Sequence, residues 1–155
     1  LTTLLATDVP PGIETRLAAP QDLPLVEGHY DALLRAFRNL IRNAVEALET
    51  TDGERRIEVA LTLAAPAARG DGAAAGGWID IAIADTGPGL PPGAEERVFE
   101  PDFTTRSRGT GLGLPIVRQI AHAHGGEARA ANRPEGGARF TVRLPVAAVP
   151  VAVQS

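Results

Sequence analysis

The sequence predicts an α/β (α+β) two-layer sandwich, with a mixed, mostly antiparallel sheet covered on one face by helices. Two kinds of observation carry this. Two stretches repeat apolar residues at helical spacing, one from His29 to Glu49 and one around residues 111–124. Three stretches alternate with period two: Ile57, Val59, Leu61 and Leu63; then Ile79, Ile81 and Ile83; then Phe140, Val142 and Leu144. Clean alternation means that one sheet face is covered and the other is wetter, and two amphipathic helices can supply the cover.

The elements follow in chain order. Residues 1–12 end in "DVPPG" and read as an N-terminal linker with a turn. "IETRL", Ile13 to Leu17, alternates and predicts a short edge strand, and the "APQDLPLVEG" after it reads as loop. In the first helix Leu33, Leu34, Phe37, Leu40, Ile41, Ala44, Val45 and Leu48 form one stripe, and Asp52-Gly53 supplies a stop. The first two alternating segments flank "AAPAARGDGAAAGG", a low-complexity stretch that reads as a mobile hairpin connection. Pro115, tolerated only in a first turn, dates the start of the second helix, and Gly125-Gly126 fits its C-terminal signal. Residues 147–155 read as a tail, which leaves one domain over 13–146.

Bulk properties exclude several classes. A chain of 155 residues, 44% hydrophobic and 22% charged, suits one globular domain. A net charge of −4 and a pI near 5.4 argue against nucleic-acid binding by bulk electrostatics. Without cysteine there are no disulfides and no thiolate metal sites. No apolar run approaches the ~18 residues of a membrane span. The first residue is Leu1 rather than Met, as expected of a fragment of something longer. Lysine is absent, a compositional bias that carries no function.

Four constellations could carry chemistry. Asn39 and Asn43 in "NLIRNAVEAL" are spaced i, i+4 and project on one side of the first helix. On a helical wheel with Leu33 at zero, Asn43 falls near about 280°, at the rim of the apolar stripe, with Asn39 just beyond it. Paired asparagines at a rim suit a hard cation or a phosphate, or are merely an incidental pair on a solvated face. "DTGPG", Asp85 to Gly89, follows a strand, and Asp85 shares the parity of Ile79, Ile81 and Ile83. A carboxylate on the covered face needs a partner, either a ligand N–H or its own backbone two residues on. "GTGLGLPIVRQI", Gly109 to Ile120, sets three glycines before a helix, where free N–H groups and the helix dipole favour an anion, or where the glycines serve a hinge or a tight packing corner. Its spacing fits neither a Rossmann fingerprint nor a Walker loop. "FEPDFTTRSR", Phe99 to Arg108, joins the last two and has no periodicity, as expected of a loop that closes over a ligand or of a plain connection.

The order of the four is more specific than any one of them. It resembles the N, G1, F and G2 boxes of the ATP-binding catalytic domain of sensor histidine kinases, the Bergerat (GHKL) fold shared with gyrase-like and mismatch-repair ATPases. The resemblance runs from about Ile13 to Pro145, and "NAVEAL", "FEPDFTT" and "GTGLGL" are most similar to the nitrogen-regulation class. It implies that Asn43 holds Mg²⁺ between the phosphates of ATP and that Asn39 assists there. It implies that Asp85 accepts from the adenine amino group, with Gly87 and Gly89 letting the backbone approach the base. Phe99 and Phe103 would anchor an ATP lid. Gly109, Gly111 and Gly113 would let it fold and bring N–H groups to the phosphates, with Thr104, Thr105, Thr110, Leu112 and Leu114 alongside.

Departures matter as much. Many family members carry Lys then Tyr where this chain has Glu46 and Ala47, so phosphate charge has to be met elsewhere. Arg106 on the lid is the preferred cation and, with Asn39, a catalytic candidate; Arg108 is a second choice, and Arg42 lies about 100° from Asn43 on the wheel. His29, His122 and His124 read as solvated surface residues. The resemblance therefore implies an acceptor histidine on a separate dimerising helical hairpin and a response regulator downstream. It also implies a cytoplasmic domain without membrane or nucleic-acid contact, monomeric alone and dimeric in its parent. Two competing readings are a hydrolytic gyrase-like or mismatch-repair ATPase and a non-catalytic nucleotide-sensing module. The first needs a glutamate where Asn39 stands.

Overall fold

The alternating rows become strands whose apolar sides all face the same way, and two helices close over them. In the computed structural model, residues 1–64, 76–103 and 113–147 are described. The elements are α1 (Thr2–Asp8), β1 (Glu14–Ala18), α2 (Tyr30–Leu48), β2 (Arg56–Ala64) and β3 (Trp78–Asp85). A 3₁₀ turn (Arg97–Phe99), α3 (Gly113–Ala123), β4 (Glu127–Asn132) and β5 (Ala138–Pro145) complete the order. The sheet runs β1-β2-β3-β5-β4. β1 pairs parallel with β2 and every other neighbour is antiparallel, the mixed sheet expected.

The core lies between the helices and the rows Ile57 and Val59, Ile79, Ile81 and Ile83, and Phe140, Val142 and Leu144, all buried. α2 contributes Phe37, Leu40, Ile41, Ala44 and Leu48, and α3 contributes Val117 and Ala121. Each large side chain here stabilises by about 1.5–3 kcal/mol relative to exposure. β2 and β3 pair up to Ala64↔Trp78, as a hairpin requires, and their connection 65–75 lies outside the described residues. α3 ends in a Schellman motif: Gly125, at φ 73, donates to the His122 carbonyl, and the Gly126 N–H donates to the Ala121 carbonyl.

Two elements differ from expectation. The stretch expected as linker contains α1, with Leu4 and Leu5 buried and an ion pair from Arg38 of α2 to Asp8 at 2.9 Å. A helix this short is marginal alone, so tertiary burial holds it, and two turns are too few for periodicity to register. The turn expected after it is present at Pro11-Gly12. β4 was not expected, because "EARAAN" has no β-branched residue and only Ala128 is buried. Its pairing with β5, Ala128↔Val142 and Ala130↔Phe140, makes it a strand.

Candidate functional site

α2 carries a row along one side, Asn39, Asn43 and Ala47, at i, i+4 and i+8. Both asparagines are half-buried. Ala36 and Ala47 are buried too, which widens the covered stripe towards the asparagines and puts them at a seam rather than on an open face. At one end of the row, a Cβ placed on Gly113, the first residue of α3, would lie 3.9 Å from Asn39 Cγ. At the other end, a Cβ on Gly87 would fall 3.1 Å from the Ala47 carbonyl oxygen and 3.2 Å from its Cβ. Only glycine lets the DTGPG segment come this close to α2. Eight residues of helix separate the two ends by about 12 Å.

Asp85 closes β3, opposite Ile57, and is 1% exposed, the one buried polar residue among the described residues. Its Oδ1 accepts the Gly87 N–H at 2.8 Å and the Ala138 N–H at 3.4 Å. The first bond is the self-turn allowed for Asp85 by its sequence. A carboxylate offers about four acceptor positions, so the turn and a ligand donor are compatible. Thr86 pins the loop to β2: its Oγ1 accepts the Arg56 N–H at 2.9 Å and donates to the Glu54 carbonyl at 2.6 Å. Gly89, at φ 81, lies against Asn132. The Asn132 amide brackets the main chain of the next residue, accepting the Leu90 N–H at 2.7 Å and donating to the Leu90 carbonyl at 3.0 Å.

The β4–β5 turn presses on the same loop. Gly137, at φ 89, brings its Cα so near that a Cβ would lie 1.9 Å from the Asp85 carbonyl oxygen. Arg133 donates through Nη1 to that oxygen at 3.0 Å and pairs through Nη2 with Glu58 at 3.3 Å. Phe99 is buried edge-on to Phe140 at 6.4 Å, with the Arg118 guanidinium 4.6 Å above its ring. Phe103 packs against the core beneath Arg97. The two rings fix the chain where residues 104–112 begin.

The α2 row thus joins a buried carboxylate beside glycine backbone to the start of α3, about 12 Å away. Residues 28–148 match the family model described as "Histidine kinase-, DNA gyrase B-, and HSP90-like ATPase". The chain belongs to this ATPase family. It is 38% identical to the Two-component sensor PprA of Pseudomonas aeruginosa over 88% of its own length and 14% of that protein's. It is 34% identical to the Sensor histidine kinase ZraS of Escherichia coli O157:H7 over 86% of its length and 26% of that protein's. The chain therefore spans a minor part of these relatives. Among solved structures it resembles the mycobacterial sensor histidine kinase MprB, with a TM-score of 0.71, 29% identity, and 88% and 84% of the two chains covered. It also resembles full-length ShkA in complex with AMPPNP, with a TM-score of 0.68, 30% identity, and 89% and 26% covered.

In this ATPase domain the expected residues divide into three groups. Asn39, Asn43, Asp85, Gly87 and Gly113 line the α2 row and its two ends, and Gly89 continues the loop. Phe99, Phe103 and Leu114 pack on the core, which suits anchoring more than ligand contact. Thr104, Thr105, Arg106, Arg108, Gly109, Thr110, Gly111 and Leu112 lie outside the described residues. Arg42 does not join the row, since it sits on the exposed side of α2 with its Nε on Glu46 at 2.8 Å. No described helix of the domain is long and apolar enough to cross a membrane.

One expectation is corrected and one set of residues is new. His124 is not a solvated surface residue: its Nε2 accepts the His29 N–H at 3.0 Å, and its Nδ1 pairs with the Ile120 carbonyl at 2.7 Å. It ties the end of α3 to the start of α2, a contact between segments too distant for local pattern to reveal. Sequence reasoning also missed Asn132, Arg133, Gly137 and Ala138. The turn signal in "NRPEGG" marks a hairpin there, yet nothing local aims it at Asp85.

Proposed function

We propose that this domain is cytoplasmic, binds Mg-ATP and presents the γ-phosphate to a histidine on a separate, dimerising helical hairpin of its parent sensor histidine kinase, with a response regulator downstream. The observation that supports this best is the row Asn39, Asn43 and Ala47, which joins the buried Asp85 loop to the first turn of α3 over about 12 Å. Asp85 accepts the adenine amino group, and Gly87 and Gly89 admit the base beside the backbone. Asn39 and Asn43 face the phosphates. Mg²⁺ takes oxygen ligands and keeps most of them from phosphate and water, so a single amide oxygen from Asn43, with Asn39 one turn away, fits it. When bound, the ion neutralises phosphate charge and orients the transferring group. Arg106 is the proposed cation in place of the lysine at the Glu46 position. The protein's part is positioning and charge stabilisation, the main sources of catalysis in phosphoryl transfer. The words "NAVEAL", "FEPDFTT" and "GTGLGL" support placing the parent in the nitrogen-regulation class.

The test incubates the domain with γ-labelled Mg-ATP and a separately supplied phosphoacceptor hairpin. Label on the hairpin histidine, lost in Asp85→Asn and Asn43→Ala, is the expected result. Inorganic phosphate released without acceptor would favour a hydrolytic ATPase. Retained binding with neither product would favour a sensing module. An Arg106→Ala variant with unchanged affinity and transfer would remove Arg106 from the site.

A further inference from the structure

We propose that Arg133 is a positioning residue for base recognition, setting Asp85 from the side away from the ligand. This rests on reading Asp85 as the adenine acceptor. The Arg133 side chain is only 7% exposed. Burying a guanidinium is costly, and an apolar residue of similar volume would stabilise the turn at least as well. Its Nε lies 3.7 Å from Glu135 without a hydrogen bond, and its two terminal nitrogens go to two places. Nη2 pairs with Glu58, which the Arg56 guanidinium also holds at 2.7 Å, so Glu58 is an anchored post on the uncovered face of the sheet. Nη1 donates to the main-chain carbonyl of Asp85 at 3.0 Å. That carbonyl begins the peptide linking Asp85 to Thr86, and its orientation sets how the chain turns towards Gly87.

The same turn reaches the carboxylate. The Arg133 N–H closes the turn on the Gly137 carbonyl at 2.9 Å, and the next residue, Ala138, donates its N–H to Asp85 Oδ1. The Arg133 side chain therefore fixes the carbonyl end of Asp85, while the main chain of the same turn meets its carboxylate. A hydrogen bond to a purine amino group depends steeply on distance and angle. A side chain that holds the Asp85 carbonyl, on the turn whose Ala138 N–H meets the carboxylate, controls that geometry without touching the ligand.

The experiment compares binding of ATP with binding of purine riboside triphosphate, which lacks the 6-amino group, in wild type, Asp85→Asn, Arg133→Gln and Arg133→Lys. Asp85→Asn keeps an acceptor for the Gly87 N–H and abolishes the preference for ATP. Arg133→Gln should weaken ATP about 10-fold and the deaminated analogue by less than about twofold. Arg133→Lys, which keeps one charged donor, should recover part of the preference. If Asp85→Asn leaves the preference intact, the adenine reading of Asp85 fails and this proposal with it. If Asp85→Asn removes the preference but Arg133→Gln weakens both nucleotides equally, or neither, Arg133 is structural only and the proposal is overturned. Should Arg133→Gln not fold, Glu58→Gln loosens the anchor with Arg133 in place, and an unchanged preference in that variant overturns it equally.

Discussion

Replacing Gly137 by alanine tests the contact between the β4–β5 turn and the Asp85 loop, and Gly136 supplies an internal control. Both glycines have positive φ, 101° at Gly136 and 89° at Gly137. Alanine at either site carries backbone strain of about 1–3 kcal/mol. They differ in what a methyl meets. At Gly136 nothing lies within 4 Å, whereas at Gly137 the methyl would sit 1.9 Å from the Asp85 oxygen, 2.8 Å from its carbon and 3.1 Å from Thr86 Cα. These are main-chain atoms, so no rotamer change relieves the overlap. The turn must back away, and the Arg133 bond to the Asp85 carbonyl breaks with it. A hydrogen bond to a charged group contributes about 1.5–3 kcal/mol. The Gly137 variant should therefore lose about 2.5–6 kcal/mol and the Gly136 variant about 1–3. For a domain of this size each kcal/mol shifts Tm by about 2–4 °C. Thermal melts of both variants, with ATP titration at a temperature where both are folded, measure the difference. Equal Tm shifts, or a Gly137 variant that binds ATP like wild type, would refute the close approach and its link to Asp85.

Leu4→Ala should cost about 2–5 kcal/mol in denaturant unfolding, whereas a true linker would lose almost nothing. Phe99→Ala should cost about 3–5 kcal/mol, because its ring fills the core against Phe140, and Phe99→Leu should recover much of that in the same melts. The Asp8 carboxyl is held below its usual value of 3.8, first by the Thr7 hydroxyl and then, against desolvation, by Arg38. A depressed folded pKa contributes stability above the usual value that fades as pH falls through the folded one. Leu4 and Leu5 methyl resonances should therefore report loosening of α1 only in that acid window, and Asp8→Asn should remove that pH dependence.

The legible parts of this molecule are those written in local period. α2, β2, β3, β5 and the α3 stop all follow from spacing and punctuation, and so does the row that Asp85 joins, because parity along one strand decides it. The order of short motifs then made the candidate site readable, since Asn39, Asn43, Asp85 and the glycines proposed for it are defined by residue type. What stayed hidden depends on contacts between distant segments. α1 exists because Leu4 and Leu5 find the core, and β4 exists because β5 pairs with it. His124 meets His29 from 95 residues away along the chain. Arg133 lies 48 residues from the carbonyl it holds, on a turn whose own sequence specifies only that it turns. The motif names Asp85, the proposed base acceptor, but the register of β3 against β5 decides which turn lies behind it. That register, Ala84↔Arg139, sets the β4–β5 turn beside Asp85, and a two-residue slip would keep every apolar side chain facing the core while moving Arg133 off its carbonyl. On the proposed role of Asp85, base recognition is a property of sheet pairing as much as of the loop that carries it.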